Sequence, residues 1–281
     1  MEITNLFLRF PDGRDRCLTL SYDDGVETDV RMMEILDRHG IRCTFNMSSG
    51  SFAPEGTVYP AGTIHRRMSR SQSLAAYKGT PHEVAVHATH HPFLEQMPAH
   101  MATREVLSDR QALEELFDVT VRGMAYPFGA TSDEVVKSLA ACGIAYARTT
   151  VSTGRFDLPA DWLRLPATCH HNDPRLFELA DEFLSPAHPS RPSRLFYRGG
   201  HSYEFAGDDN WDVIERFAAQ VGGREEIWYA TNLELYDYIP AFNRLVFSVS
   251  GDRVENPTAK TVWFLANGET YSVAPGETKK L

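Results

Sequence analysis

The chain has 281 residues, of which 42% are hydrophobic and 23% charged, a composition typical of a folded globular protein rather than a disordered or membrane-embedded one. Its formal net charge of −10, without any Lys/Arg run, argues against a nucleic-acid or anionic-membrane partner. The N-terminal residues lack the basic segment and long apolar stretch of a signal peptide, so we expect a cytoplasmic location. The cysteines show no Cys-x-x-Cys spacing and are expected to be core thiols.

Apolar runs of strand length alternate with amphipathic segments along most of the chain. The first strand is predicted at Leu18–Tyr22 and the helix after it at Glu27–Arg38. Further strands are predicted at Cys43–Met47, Glu83–Val86, Met124–Tyr126, Ile144–Ala147, Trp162–Pro166, Arg194–Tyr197 and Glu226–Tyr229. Helices are predicted at Ala61–Tyr77, Thr103–Phe117, Ser132–Ala141, Pro174–Phe183 and Trp211–Ala219, and a surface loop at Ser185–Ser193.

This alternation predicts an α/β fold in which βα units close into a (β/α) barrel of about seven strands. Periodicity alone leaves an open parallel sheet as the alternative. After Pro240 the pattern changes to short alternating runs, at Leu245–Ser250, Thr261–Leu265 and Tyr271–Val273, which are typical of antiparallel strands. The predicted organisation is therefore a barrel over residues 1–240 and a small C-terminal β appendage, packed on the barrel, over residues 241–281.

Two adjacent carboxylates, Asp23 and Asp24, follow the first predicted strand. Strand ends are where α/β enzymes hold their catalytic groups, and neighbouring side chains there point in different directions. One carboxylate can thus face a metal ion while the other faces a reacting water. The alternative is ordinary turn chemistry, in which an aspartate caps the next helix and Gly25 provides a positive φ.

A histidine cluster follows the predicted strand Glu83–Val86. His87 and His91 are separated by three residues, and Pro92 keeps His91 out of a regular helix, so a tight turn must present both imidazoles. Imidazole and carboxylate together suit zinc and other divalent transition metals. The alternative is a loop with polar histidines and no ligand.

These motifs together resemble those of the polysaccharide deacetylases with a nodulation-type deacetylase homology domain, carbohydrate esterase family 4. Ser21–Gly25 resembles the first motif of that family, and His87–Pro92 the second. Met124–Gly129 is similar to the third, and Arg198–Ser202 to the last, which ends in a histidine. Their order and spacing agree over roughly residues 15–205.

The resemblance implies a deformed (β/α) barrel and a metal-dependent hydrolase that removes acetyl groups from an N- or O-acetylated carbohydrate. It implies Asp24, His87 and His91 as ligands of a divalent ion, with zinc favoured over cobalt, nickel or manganese. Asp23 would be the general base that activates a metal-bound water for attack on the acetyl carbonyl. His201 would protonate the leaving group, and a backbone N–H near Phe128 would help to stabilise the oxyanion.

The chain departs from the family pattern at the arginine that orients the catalytic aspartate, because Ala125 occupies the corresponding place. Arg148 is the preferred substitute, since it follows a predicted strand, and Arg122 is the alternative. Asp161-Trp162 is similar to the fourth motif, an Asp-Trp pair near an acid that supports the histidine, although Trp162 is also explained as a core residue. Two other features are less specific: Tyr126 is a candidate sugar-binding aromatic or a core residue, and His170-His171 either line the cleft or lie in a solvated loop.

Two other functions stay open. Allantoinase-like proteins of the same superfamily hydrolyse a different C–N bond in a small metabolite with similar motifs. A non-catalytic barrel that binds metal and glycan is the second alternative, although the retained base argues against it. An acetylated carbohydrate or small amide is the expected partner, nucleic acid and membrane are not expected, and self-association into a homo-oligomer is left open.

Overall fold

The computed structural model describes residues 3–186 and 191–281; residues 187–190 of the predicted loop Ser185–Ser193 lie outside this description. The strands are β1 (Leu6–Arg9), β2 (Arg16–Asp23), β3 (Cys43–Met47), β4 (Glu83–Val86), β5 (Gly123–Ala125), β6 (Tyr146–Ser152), β7 (Leu165–Ala167), β8 (Cys169–His170), β9 (Arg194–Gly200), β10 (Ile227–Tyr229), β11 (Val246–Phe247), β12 (Arg253–Glu255), β13 (Val262–Ala266), β14 (Glu269–Val273) and β15 (Thr278–Lys280). The helices are α1 (Thr28–Arg38), α2 (Arg70–Tyr77), α3 (Ala99–Phe117), α4 (Asp133–Ala141), α5 (Leu176–Leu184), α6 (Ser202–Gly207), α7 (Trp211–Val221) and α8 (Asn232–Asn243).

The central sheet is parallel and closes on itself. Its strand order is β7-β6-β5-β4-β3-β2-β9-β8, with β10 paired to the beginning of β2. Strands β7 and β8 are separated only by Thr168; β7 pairs with β6 and β8 pairs with β9. Because residues 165–170 bond to both ends of the sheet, they complete an irregular ring. The prediction of an α/β fold with a deformed (β/α) barrel is confirmed.

Strand β2 occupies the middle of this sheet, and its sequence shows why. All of Arg16–Asp23 is buried. Strand β9 flanks one side of it, β10 and β3 flank the first and second halves of the other side, and helices cover the sheet, as expected for a strand in a parallel barrel. Helix α1 packs its buried residues Met32, Ile35 and Leu36 into the same core cluster as Leu18 and Leu20. Burial of β2 thereby fixes the position of the two aspartates at its end.

One predicted helix starts in the wrong place. Helix α2 begins only at Arg70, because the Ser69 side chain accepts a hydrogen bond from the Gln72 backbone N–H and the Gln72 side chain accepts one from Ser69 in return. This capping box stabilises a helix start at that residue. Residues 61–69 are instead extended chain and turns, and they reach the carboxyl ends of the strands.

Antiparallel strands lie at the C-terminus, as predicted. Strand β13 pairs with β14 and also with β1 near the N-terminus, and a separate sheet has the order β11-β12-β15. Helix α8 spans residue 240, where the boundary between the two domains is predicted. That domain boundary stays a prediction.

The cysteines are buried and unpaired, confirming the prediction of core thiols. Among the helices described, none has the length and apolar character needed to cross a bilayer.

Candidate active site

Side chains from three strand ends meet at the carboxyl-terminal rim of the barrel. Asp23 ends β2 and Asp24 follows it; His87 follows β4, and His201 follows β9. The turn after His87 brings His91 back, so that the His87 and His91 ring centroids are 4.6 Å apart. The parallel barrel therefore brings together the five residues that the sequence motifs single out.

The backbone at this rim is unusually bent. Asp24, Ala88 and His91 all have positive φ, at 91°, 61° and 55°, although none is glycine. Such conformations cost on the order of 1–3 kcal/mol each and are typical of ligand-binding or catalytic turns. Here they turn the Asp24 carboxylate and the His91 imidazole toward the same point.

Asp24, His87 and His91 have the donor set of a divalent metal site. One ligand atom from each lies within 4.8 Å of the other two. The His87 Nδ1 atom is 2.8 Å from the Ala125 carbonyl oxygen, which can only accept, so Nδ1 carries the proton and the Nε2 lone pair is free for a metal. His87 Nε2 is 4.0 Å from Asp24 Oδ1. These residues fit a zinc-like ion.

The protein holds these three groups in the protonation states that metals require. Burial alone would raise the pKa of Asp24, but the His65 hydrogen bond and the Arg67 charge lower it well below its usual range. Arg67 Nη2 is 2.8 Å and His65 Nε2 3.0 Å from the carboxylate. Burial lowers the pKa of His87 and brings that of His91 to about 4. A carboxylate and two neutral imidazoles are thus present at neutral pH.

Asp23 is held separately from Asp24. The Arg148 guanidinium forms a buried ion pair with Asp23 Oδ2, and Asn46 Nδ2 donates to Asp23 Oδ1 at 2.8 Å. Burial would raise the pKa of Asp23, yet the Arg148 charge lowers it overall. Arg122, the alternative arginine, instead pairs with Asp237 at 3.0 Å. Arg148 therefore lies where the motif arginine would be needed.

His201 lies between Asp23 and a second carboxylate. Its Nε2 atom is 3.9 Å from Asp23 Oδ2, and its Nδ1 atom is 2.7 Å from Glu204 Oε1 in the first turn of α6. Burial would lower the pKa of His201, but the Glu204 hydrogen bond and the Asp23 charge raise it above its ordinary value. The imidazole is thus biased toward the protonated form that can act as an acid.

A pocket of about 320 Å³ opens above these groups. Tyr126 and Phe128 contribute to its wall together with Tyr203 and His170. Tyr126 is itself buried, with its hydroxyl donating to the Leu163 carbonyl oxygen at 2.7 Å, whereas half of Phe128 is exposed. A concave site with aromatic walls and a few convergent polar groups suits a small polar ligand.

Asp161 does not lie with the other predicted site residues. It lines a different pocket, where Oδ2 is 3.2 Å from Arg164 Nη1 and Oδ1 accepts from the Leu163 backbone N–H. The carboxylate bonded to His201 is Glu204 instead. The chain contains a signal for this, since Glu204 comes three residues after His201 at a helix start, where i and i+3 side chains meet.

Three further residues of the site were missed by sequence reasoning. Asn46 is in β3 beside Asp23, and a polar residue within an apolar strand run was a usable signal. His65 and Arg67 belong to residues 61–69, where a helix was predicted, and that prediction concealed their position. Both reach Asp24 only because this segment crosses the rim.

A parallel α/β barrel with a metal-type donor set beside a carboxylate and an imidazole is an arrangement that can support metal-assisted hydrolysis. The sequence model of the polysaccharide deacetylase family matches residues 11–147. This match supports the resemblance that the motifs predict. No curated protein matches the chain significantly in sequence.

One solved structure shows the same fold, and two others are less similar. A Mycobacterium smegmatis protein assigned to the polysaccharide deacetylases superimposes with a TM-score of 0.60 at 15% identity, covering 86% of this chain and 96% of that one. A Streptomyces lividans family 4 carbohydrate esterase in complex with acetate has a TM-score of 0.48 at 17% identity, with 76% and 91% covered. The Streptococcus pyogenes deacetylase PplD in complex with acetate has 0.45 at 19%, with 52% and 61% covered. The chain therefore spans less than two thirds of that last protein.

Proposed function

We propose that this protein is a metal-dependent deacetylase that hydrolyses an N- or O-acetyl group on a carbohydrate. The observation that supports the proposal is the grouping of Asp24, His87 and His91 beside the Asp23–Arg148 pair and His201 in one pocket. The match to the polysaccharide deacetylase family supports carbohydrate deacetylation, and the donor set supports a zinc-like ion.

Asp24, His87 and His91 would hold the ion. When bound, a divalent cation there supplies Lewis-acid polarisation of the acetyl carbonyl and lowers the pKa of a nearby water to about 7. Neighbouring groups hold these ligand side chains in place. The Ala125 carbonyl fixes the His87 tautomer, and Arg67 and His65 fix the Asp24 carboxylate. Each carboxylate oxygen has two acceptor positions, so these contacts leave room for ligation.

Asp23 and His201 divide the proton transfers. Asp23, kept ionised and oriented by Arg148 and Asn46, accepts the proton of the attacking water. His201, with its pKa raised by Glu204 and Asp23, donates a proton to the departing amine or alkoxide. A positioned acid or base group typically increases the reaction rate by about 10²- to 10⁴-fold. Tyr126, Phe128 and Tyr203 on the pocket wall offer aromatic surface to a sugar ring.

The adjacent aspartates allow a sharp test with matched variants. Metal content is measured on purified wild type, Asp24→Ala and Asp23→Asn, followed by acetate release from a panel of N- and O-acetylated sugars with and without chelator. We expect Asp24→Ala to lose one ion per chain, and Asp23→Asn to keep its metal while turnover falls roughly 10²- to 10⁴-fold.

Three results would contradict the proposal. Full metal content in Asp24→Ala would remove the ligand assignment, and unchanged turnover in Asp23→Asn would remove the base. Cleavage of ureides without any acetate release from the panel would favour the allantoinase-like alternative.

A further inference from the structure

A second group of metal-type side chains lies next to the candidate active site. His170 ends β8, His171 follows it, and Glu204 is in the first turn of α6. Glu204 Oε2 is 2.9 Å from His171 Nε2 and 3.4 Å from His170 Nε2. One ligand atom from each residue lies within 4.8 Å of the other two, and His170 opens onto the same pocket as Asp24.

His171 is difficult to explain as a packing residue. Its side chain has an exposed fraction of 0%, and its ring stacks on Phe205 at 4.2 Å and on Tyr22 at 5.7 Å. Among the described residues, Nδ1 has no hydrogen-bond partner, and Nε2 has only the 2.9 Å contact with Glu204 Oε2. An unsatisfied buried polar group costs about 1–3 kcal/mol.

The surrounding chain leaves space for this imidazole. A Cβ atom on Gly200 would lie 2.0 Å from His171 Nδ1 and 3.1 Å from His170 Nε2. Any larger residue at position 200 would displace both rings. The absence of a side chain there allows the two imidazoles to converge on Glu204.

We propose that His170, His171 and Glu204 bind a second divalent transition-metal ion. Two imidazoles and a carboxylate are a recurrent donor set for zinc and related ions. A bound ion would bridge the Glu204 carboxylate and the buried His171 imidazole, which otherwise has Glu204 as its only polar contact within the described chain. It would sit on the opposite side of His201 from Asp23, because Glu204 Oε1 also bonds His201. The site goes beyond the proposed function, which needs only Asp24, His87 and His91.

Two neighbours make this site weaker than the first. Arg198 is fully buried nearby and its charge acts on both histidines, which opposes a cation. The Asn172 backbone N–H is 3.2 Å from His170 Nδ1, so the His170 ring must move its proton from Nε2 before that atom can bind metal. We therefore expect the second ion to be removed by chelator before the first.

The test counts ions rather than activity. The full-length protein is stripped of metal, reloaded with Co²⁺ and dialysed to equilibrium, and the ions per chain are counted for wild type, His170→Ala, Glu204→Gln, Asp24→Ala and the double variant Asp24→Ala/His170→Ala. His170 is chosen because it is only half-buried, and Glu204→Gln preserves shape. His100→Ala, at an exposed position of α3, is the control.

We expect two ions in wild type and in His100→Ala, one in each single variant of either site, and none in the double variant. One ion in wild type that disappears in Asp24→Ala, or two ions retained in both His170→Ala and Glu204→Gln, would overturn the second site. One ion in wild type that persists in Asp24→Ala but is lost in His170→Ala would support the second site and contradict the first.

Discussion

Asp23 and Asp24 are consecutive residues with different partners. The positive φ of Asp24, 91°, turns it away from the line of β2, and each carboxylate then meets its own arginine, Arg148 for Asp23 and Arg67 for Asp24. Environments that separate two acids in this way assign them different roles. The pair can therefore divide metal binding and proton transfer without competing for one cation.

Replacement of Arg148 by lysine tests the orientation of the base. Lysine keeps the positive charge but lacks the planar fork that bonds Asp23 and Ser21 together, so Asp23 should move. Because a misplacement of about 1 Å can cost roughly 10²-fold in rate, we expect kcat to fall by about that factor while metal content is unchanged. Arg122→Lys, the matched control at the other candidate arginine, should keep wild-type turnover. Wild-type kcat in Arg148→Lys would remove Arg148 from the mechanism.

Asp29 provides a pH-dependent stability test away from the proposed metal ligands. Its side chain is fully buried in the first turn of α1 and accepts hydrogen bonds from the Tyr77 hydroxyl at 2.6 Å, from the Val26 N–H at 3.0 Å and from Ser202. Burial outweighs these bonds and raises the pKa of Asp29 to about 6. The folded state thus binds this proton more tightly than the unfolded state, where the pKa is about 4.

The stabilising contribution of the Asp29 proton is therefore complete below about pH 4, and it is lost as the pH rises through about 6. We expect the free energy of unfolding of wild type, relative to Asp29→Asn, to fall by about 2–3 kcal/mol between pH 4 and pH 7.5, because a difference of two pKa units corresponds to that energy. Urea unfolding of both proteins at the two pH values measures it. A difference that does not change with pH would show that Asp29 titrates alike in the two states.

At the scale of elements, strands were more predictable than connections. Buried runs such as β2 and β3 were predicted within a few residues, because parallel strands flanked on both sides are continuously apolar. Because the strands were predicted correctly, the positions of the residues at their ends, among them Asp23 and His87, were predicted correctly as well. The segment 61–69 was not predictable, since its conformation depends on contacts of Arg67 and His65 with Asp24, 41 or more residues away in sequence.

The short turn Pro127–Gly129 packs against His91, one of the proposed metal ligands. Phe128 has a φ of 59°, and its ring packs on His91 at 4.5 Å and on Phe93 at 3.9 Å. Gly129 fixes the turn, because a Cβ there would be 2.2 Å from Thr150 Oγ1. The turn thereby restricts the orientation of the His91 imidazole.

We expect Phe128→Ala to weaken binding at the first metal site by roughly tenfold, since loss of groups that orient a ligand typically costs that much or more. Co²⁺ titration of the apo protein, with His170→Ala as the background to isolate this site, measures the change. Phe93→Ala is the matched control, as it removes the outer ring but leaves the Phe128–His91 contact in place. Equal Kd values for Phe128→Ala and its background would show that the turn does not support His91.

At the scale of the whole molecule, the two ends of the chain form one structure. Strand β1 pairs antiparallel with β13 from Leu6 opposite Ala266 to Arg9 opposite Trp263, and Phe10 just beyond β1 packs in a core cluster with barrel residues such as Cys17 and Leu195. Local pattern could indicate a C-terminal β region, but not that an N-terminal strand completes its sheet. That pairing joins residues more than 250 positions apart.

Tyr238 of α8 connects these parts through one buried hydroxyl, which donates to the Arg9 carbonyl oxygen at 2.7 Å and accepts from the Trp263 N–H at 3.0 Å. Tyr238→Phe would leave both backbone groups without this partner, so we expect the free energy of unfolding to fall by about 1–3 kcal/mol. Urea unfolding measures the loss, and Tyr236→Phe on the same helix, where the ring is only half-buried, is the control.

Because the Tyr238 hydroxyl joins helix, barrel and terminal sheet, the loss of stability should appear equally in tryptophan fluorescence and far-UV circular dichroism. Separate transitions for the two probes would show instead that the terminal sheet unfolds independently of the barrel.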